Sequence, residues 1–193
     1  MKVEIAHDIA CVWSALGYAR FRRAAAEHRA DGGELEVVFS PYRIASGAAG
    51  LPLSRVHPQL TPAARADRIV RVAAADGLVI NLDRIVPAGT LHAHRLIAAA
   101  AAHGTAEDMA ARLYRAYFTD GLDIADAGVL QGLASTIGVP WTRERAAERL
   151  DAEFARSGPR VPVFRFPDGT VLAGAVSLAA LRHELRQALR TAA

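Results

Sequence analysis

"IAHDIACVWSALGYARF", residues 5–21, is the stretch on which the reading of this chain turns. Its first residues extend an apolar strand begun in "KVEIA", residues 2–6. After it, Leu16, Ala19, Arg20, Arg23 and Ala24 recur at helical spacing until "DGG", residues 31–33, stops the helix. A second strand is expected over "ELEVVFSPY", residues 34–42, where Leu35, Val37 and Phe39 alternate with Glu36, Val38 and Ser40. Strands joined through a helix of this length pair in parallel by a right-handed crossover, so the first third of the chain predicts a βαβ unit. Cys11, the one cysteine of the sequence, stands where strand gives way to helix, and Ser14 occupies the position at which a second cysteine would complete a C-x-x-C pair.

Beyond this unit the pattern becomes helical. Segments are expected at residues 61–77, opened by Thr61 as N-cap and Pro62 at the first helical position, and then at 91–103, 106–118, 124–137 and 142–157. Gly104, "TDG" at 119–121 and "GVP" at 138–140 separate them. Strands return in "VPVFRF", residues 161–166, and "TVLAGA", residues 170–175, joined by the turn "PDG", and a helix over 178–191 follows. This order predicts an α/β thioredoxin-like fold with a helical insertion between an N-terminal βαβ and a C-terminal ββα. The discontinuous thioredoxin-like domain would comprise residues 1–60 and 158–193, and the all-helical insertion residues 61–157.

The 193 residues, 52% of them hydrophobic and 22% charged, suffice for one well-buried core. A net charge of +3 with pI near 9.5 is spread along the chain among 20 acidic residues, which argues for a solvated surface and against nucleic acid as a partner. All basic residues but Lys2 are arginine, a bias that fits GC-rich codon usage. Lys2, Glu4, His7 and Asp8 interrupt the first apolar residues, so no secretion signal is read. The longest purely apolar run, residues 96–102, is far short of the ~18 residues of a membrane-spanning helix. A soluble, cytoplasmic protein with no membrane partner is expected. With one cysteine, any redox role must involve sulfur from a second molecule.

Cys11 at a helix N-terminus would face unpaired N–H groups and the positive end of the dipole, which favour a thiolate and a lowered pKa. The competing reading is a buried small apolar residue. His7 is either a group that tunes this thiol or a packing residue. His92 and His94 lie two apart and share no helical face, so no metal site is expected, and His94 is read as orienting its helix by a hydrogen bond. No phosphate-cradling glycine loop and no nucleophile-elbow serine occurs.

The opening residues resemble the entrance to the DsbA family, in particular its FrnE-type branch, in which Ser-Asp runs into Cys-Pro-Trp-Cys. Asp8, Cys11, Trp13, Gly17 and Phe21 match, whereas Val12 and Ser14 depart from the pattern. Residues 81–104, running into 113–126, resemble the family's Asn…Ala-His-Arg-Leu…Ala-Tyr-Phe…Gly-x-Asp-Ile block, and residues 161–177 its Val-Pro-x-Phe…Gly-Ala segment. The resemblance implies a cis Val161–Pro162 bond beside Cys11, as against an ordinary trans proline at a strand start. It also implies a loop at Arg160, Val161 and Pro162 whose backbone pairs with an extended substrate, with Trp13 at the same groove.

Ser14 changes the chemistry that the resemblance implies. A second cysteine would resolve a mixed disulfide by displacement; a hydroxyl can hydrogen-bond the Cys11 sulfur but cannot attack it. Three readings follow. Cys11 and Ser14 form a monothiol oxidoreductase site, resolved by a low-molecular-weight thiol co-substrate, with no tightly bound cofactor; its partner is a small thiol, a disulfide-containing protein or a small molecule. Alternatively the site serves a thiol-cofactor-dependent isomerase or transferase, although such relatives generally carry serine where Cys11 stands. The third reading is a non-catalytic module that binds a peptide or metabolite.

Overall fold

In the computed structural model, which describes residues 1–44, 51–61, 63–141 and 161–191, the sequence folds around a four-stranded sheet. Strand β1 (Lys2–His7) lies between β2 (Glu36–Pro41), parallel to it, and β3 (Val163–Arg165), antiparallel; β4 (Val171–Ala173) completes the order β2-β1-β3-β4. The register sets Ile5 against Phe39 on one side and Phe164 on the other. Because strand side chains alternate, these three share one face. Helix α1 (Val12–Ala30) covers it: Phe21 stacks on Phe164 at 5.6 Å between ring centroids, and Tyr18 meets Phe39 edge-on at 5.5 Å. Burying each such side chain contributes roughly 1.5–3 kcal/mol, so the core begins where the two predicted strands and the helix meet.

The predicted βαβ unit and the closing ββα are present. Strand β2 is shorter than the predicted 34–42, and the hairpin strands shorter than 161–166 and 170–175. The hairpin turns at Gly169, φ +89°, with the Thr170 N–H donated to Asp168 Oδ1 at 2.9 Å. The last helix, α7 (Leu178–Thr191), packs on α1, and Arg182 bridges to Glu27.

Between β2 and β3 the described residues form a short helix α2 (Leu53–Val56), α3 (Ala63–Ala75), α4 (Leu91–Ala101), α5 (Ala106–Arg115) and α6 (Ala127–Ser135). Two predicted boundaries are corrected. Helix 106–118 ends at Arg115 and continues as a wider turn over Ala116–Asp120, and helix 124–137 starts later because Asp126 caps it by accepting the Val129 N–H at 2.9 Å. The Thr61 hydroxyl donates to the Pro58 carbonyl at 2.9 Å. Pro62 and the predicted helix 142–157 lie outside the described residues. Among those residues no helix is long and apolar enough to cross a membrane.

Candidate functional site

The site begins with a turn. After β1, the Cys11 N–H donates to the Asp8 carbonyl at 3.0 Å and the Ala10 N–H to Asp8 Oδ1 at 3.3 Å. Aspartate suits this place because its short carboxylate bonds the backbone two residues on. The turn delivers Cys11 to the N-cap of α1 in extended conformation, φ −91° and ψ 115°, where Sγ accepts the Ser14 N–H at 3.4 Å. No acidic residue stands in the first helical turn.

Opposite, the Val161–Pro162 bond is cis, and the Cys11 thiol points at the Val161 carbonyl, 3.8 Å away. Gly17 permits this approach of helix to loop: a Cβ there would stand 2.8 Å from Pro162 Cγ and 3.4 Å from Phe164 Cζ. Cys11, Ser14, Val161 and Pro162 are thus together, while Arg160 lies outside the described residues.

The electrostatics of the thiol differ from expectation. Cys11 is 3% exposed, enclosed by Ala6, Val161 and Val163 with Tyr42 packed alongside. Burial pushes its pKa up; hydrogen bonds from Ser14 pull it down by less, and the Asp8 carboxylate adds to the rise. The predicted lowered pKa is therefore overturned, because desolvation of sulfur outweighs the helix-end N–H groups.

Of the two readings of His7, the geometry matches packing. It is buried, 4.8 Å from the Phe39 ring and 5.1 Å from that of His94. Its Nδ1 lies 2.7 Å from the Tyr114 hydroxyl, which donates to the Asp8 carbonyl at 3.5 Å. Since a phenol has one hydrogen, both contacts are satisfied when Nδ1–H donates to Tyr114. Burial first, and His94 second, hold its pKa well below the usual value. A neutral ring brings no positive charge to the thiol, so His7 does not tune Cys11 by charge.

Sequence reasoning did not assign a role to Asp8 or Tyr42. The Asp8 carboxylate is fully buried and accepts the Ile44 N–H at 2.6 Å. His94 Nε2 donates to the Tyr42 carbonyl at 3.0 Å and stands 3.6 Å from Asp8 Oδ1. Asp8 and His94 thereby pin the chain after β2, and with it the ring of Tyr42 against the thiol. The helix-orienting hydrogen bond expected of His94 is one arm of this arrangement. An aspartate three residues before the helix cap was the readable signal for the turn; its reach to residue 44 was not.

Trp13 faces the other way. It is 39% exposed and, with Leu16, Ile69, Val72, Ala175, Arg20, Arg65 and Arg68, lines an open pocket of about 320 Å³. Among the described residues no group of three or more His, Cys, Asp or Glu is placed to hold a metal ion.

A four-stranded β2-β1-β3-β4 sheet with helical segments between β2 and β3, a thiol at the N-cap of α1 and a cis proline across from it define a thioredoxin-like fold. The model of the DSBA-like thioredoxin domain matches residues 2–157, and the chain belongs to that family. Among solved structures it is similar to a "probable DsbA oxidoreductase" from Streptomyces coelicolor, at 25% identity over 98% of this chain and 90% of that one, TM-score 0.82. It is similar also to the cytosolic disulfide reductase DsbM from Pseudomonas aeruginosa, solved with GSH, at 21% identity over 99% and 98% of the chains, TM-score 0.71. A 2-hydroxychromene-2-carboxylate isomerase shares 17% identity over 99% and 97%, TM-score 0.65. The last two comparisons speak for the fold. No match is found among curated protein sequences.

Proposed function

We propose that this chain is a monothiol oxidoreductase of the FrnE type, acting in the cytoplasm through Cys11 by mixed-disulfide exchange. The observation that carries the reading is the convergence on one sulfur of the Ser14 N–H at 3.4 Å and the Val161 carbonyl at 3.8 Å beside the cis proline, with serine in the resolving place. Cys11 loses its proton to solvent and its sulfur attacks one sulfur of a small disulfide or a protein disulfide. The old S–S bond breaks, and the departing thiolate takes up a proton. A low-molecular-weight thiol then attacks the partner's sulfur, releasing Cys11 and leaving as a new disulfide. Ser14 steadies the sulfur, Trp13 and the loop of Arg160, Val161 and Pro162 hold the partner, and no tightly bound cofactor, metal, nucleic acid or membrane takes part.

Because burial pushes the thiol pKa up, the exchange rate should rise about tenfold per pH unit from pH 7 toward 8.5, following the thiolate fraction. Intact-mass measurement after incubation with glutathione disulfide tests this: wild type acquires one adduct, Cys11→Ser none, and added thiol removes it. An unreactive native chain whose unfolded form reacts would end the reading.

The same burial favours a second reading, in which the working thiolate belongs to a thiol cofactor and the site isomerises its conjugate. That version requires turnover that depends on added thiol and survives Cys11→Ser.

A further inference from the structure

We propose that the groove between the outer edge of β2 and α4 docks an extended segment of a partner protein, one in which apolar and basic residues alternate and which adds to the sheet as a fifth strand. The inference goes beyond thiol exchange and needs no part of it.

The register of β1 and β2 decides which backbone groups of β2 are spent. The Glu36 N–H donates to the Met1 carbonyl at 2.8 Å and the Tyr42 N–H to the His7 carbonyl at 2.9 Å. In this parallel ladder Glu36, Val38, Ser40 and Tyr42 therefore turn their backbone groups to β1. The N–H and C=O groups of Val37 and Phe39 point the other way, away from β1, and β2 is an edge of the sheet. Among the described residues nothing bonds these four groups. The open stretch is bounded at both ends: the Leu35 carbonyl accepts Arg29 Nη2 at 3.2 Å, and Pro41 has no N–H to give. What is left matches one short strand, which would lie about 4.8 Å from β2.

α4 walls the place where that strand would lie. His94, Ile97, Ala98 and Ala101 follow the i, i+3, i+4, i+7 spacing of one helical face and border a hollow of about 480 Å³ against residues 35–39. The His94 ring stands 5.1 Å from that of His7, which itself lies 4.8 Å from Phe39, so α4 sits over the sheet face that carries Phe39. Residues of an added strand on this face meet Ile97, Ala98 and Ala101 and are apolar. Alternate residues fall on the face of Glu36 and Val38. The described lining holds two carboxylates, of Glu36 and Glu107, and no arginine or lysine. Arg29 holds Glu107, whereas Glu36 faces Lys2 at 3.9 Å with both side chains more than 60% exposed, which leaves it open to a second cation. A basic residue across the strand pair from Glu36 is favoured and an acidic one disfavoured. Backbone pairing supplies affinity and the alternation supplies selectivity, as in other strand additions.

The test uses the acetylated, amidated pentapeptide Lys-Val-Lys-Val-Lys at low ionic strength, followed by calorimetry and by amide exchange in the intact chain. Exchange at Val37 and Phe39 should slow on binding, while Val38, already bonded to β1, stays unchanged; uniform or absent protection overturns the proposal. N-methylation of the peptide at both valines, or at the lysines, should weaken binding tenfold or more for one set and leave the other within twofold, because alternate N–H groups face β2. Equal effects of the two sets overturn strand pairing. Glu36→Gln should weaken binding about threefold, the scale of one cross-strand charge pair. Ala101→Trp, at an exposed helical position, should abolish binding with the melting temperature kept. No binding by wild type, or equal binding of Glu-Val-Glu-Val-Glu, overturns the assignment. So does a chain that sediments as a dimer and becomes a monomer in Ala101→Trp, since the groove then belongs to a second copy.

Discussion

Cys11 and Trp13 are neighbours on the first turn of α1, yet one is 3% exposed among aliphatic side chains and the other 39% exposed beside two arginines. The inner side of the turn holds a sulfur whose protonated form is favoured by burial. The outer side offers a surface with charge to spare. The same turn thus carries one side chain enclosed by aliphatic groups from distant strands and one left open beside a pocket.

The largest expected effect comes from acid, and it tests how firmly the inner side is held. The His57 pKa falls to about 4 because the ring is buried, while its Nε2 lies 2.9 Å from the Tyr117 hydroxyl, and His7 is held well below its usual value for the same cause. Unfolded histidines take up protons near pH 6.5. A depressed native value means that the stabilisation is complete above ~6.5 and is lost as pH falls toward 4, on the order of 3 kcal/mol for His57 alone. Urea midpoints at pH 7 and pH 4.5 should show the loss, and His57→Gln should flatten it. Cys11 runs oppositely: its raised value makes stability decline as pH rises above ~8.5.

Next is Gly17→Ala. The added methyl would stand 2.8 Å from Pro162 Cγ, and overpacking costs about 1–3 kcal/mol, more than the helix-propensity gain of up to ~1 kcal/mol. A thermal melt should show the drop, together with faster alkylation of Cys11 as the loop is pushed away. An unchanged melting temperature would mean that helix and loop are not in contact.

Tyr42→Ala should open the inner side with a smaller effect. Alkylation of Cys11 by iodoacetamide is expected to speed up about fivefold, roughly 1 kcal/mol in accessibility. No acceleration would show that Tyr42 does not shield the sulfur. Trp13→Ala should be the mildest in stability, within about 0.5 kcal/mol as for other exposed positions. A large stability loss would make Trp13 part of the core and erase the contrast with Cys11.

Much of this was readable along the chain. The alternation of Leu35, Val37 and Phe39, the helical spacing after Val12 and the Asp-Gly turn at 168–169 report local periodicity, and local periodicity is what strands, helices and turns are made from. The match at Asp8, Cys11, Trp13 and Gly17, with the Val161–Pro162 segment, marked the family. The state of the thiol was not readable. Helix-end reasoning counts the N–H groups that favour a thiolate, but the opposing desolvation comes from Val161, Val163 and Tyr42, which are distant in sequence. Likewise His7 could not be placed indoors without Tyr114 and Phe39.

Residues 5–21 alone specify a strand, a turn opened by Asp8, and a helix capped by a cysteine, because each depends on neighbours within a few positions. Whether that cysteine is a ready thiolate or a sheltered thiol depended on the return of β3 and the pinning of Tyr42, because solvent exclusion is set by what the whole chain places around an atom.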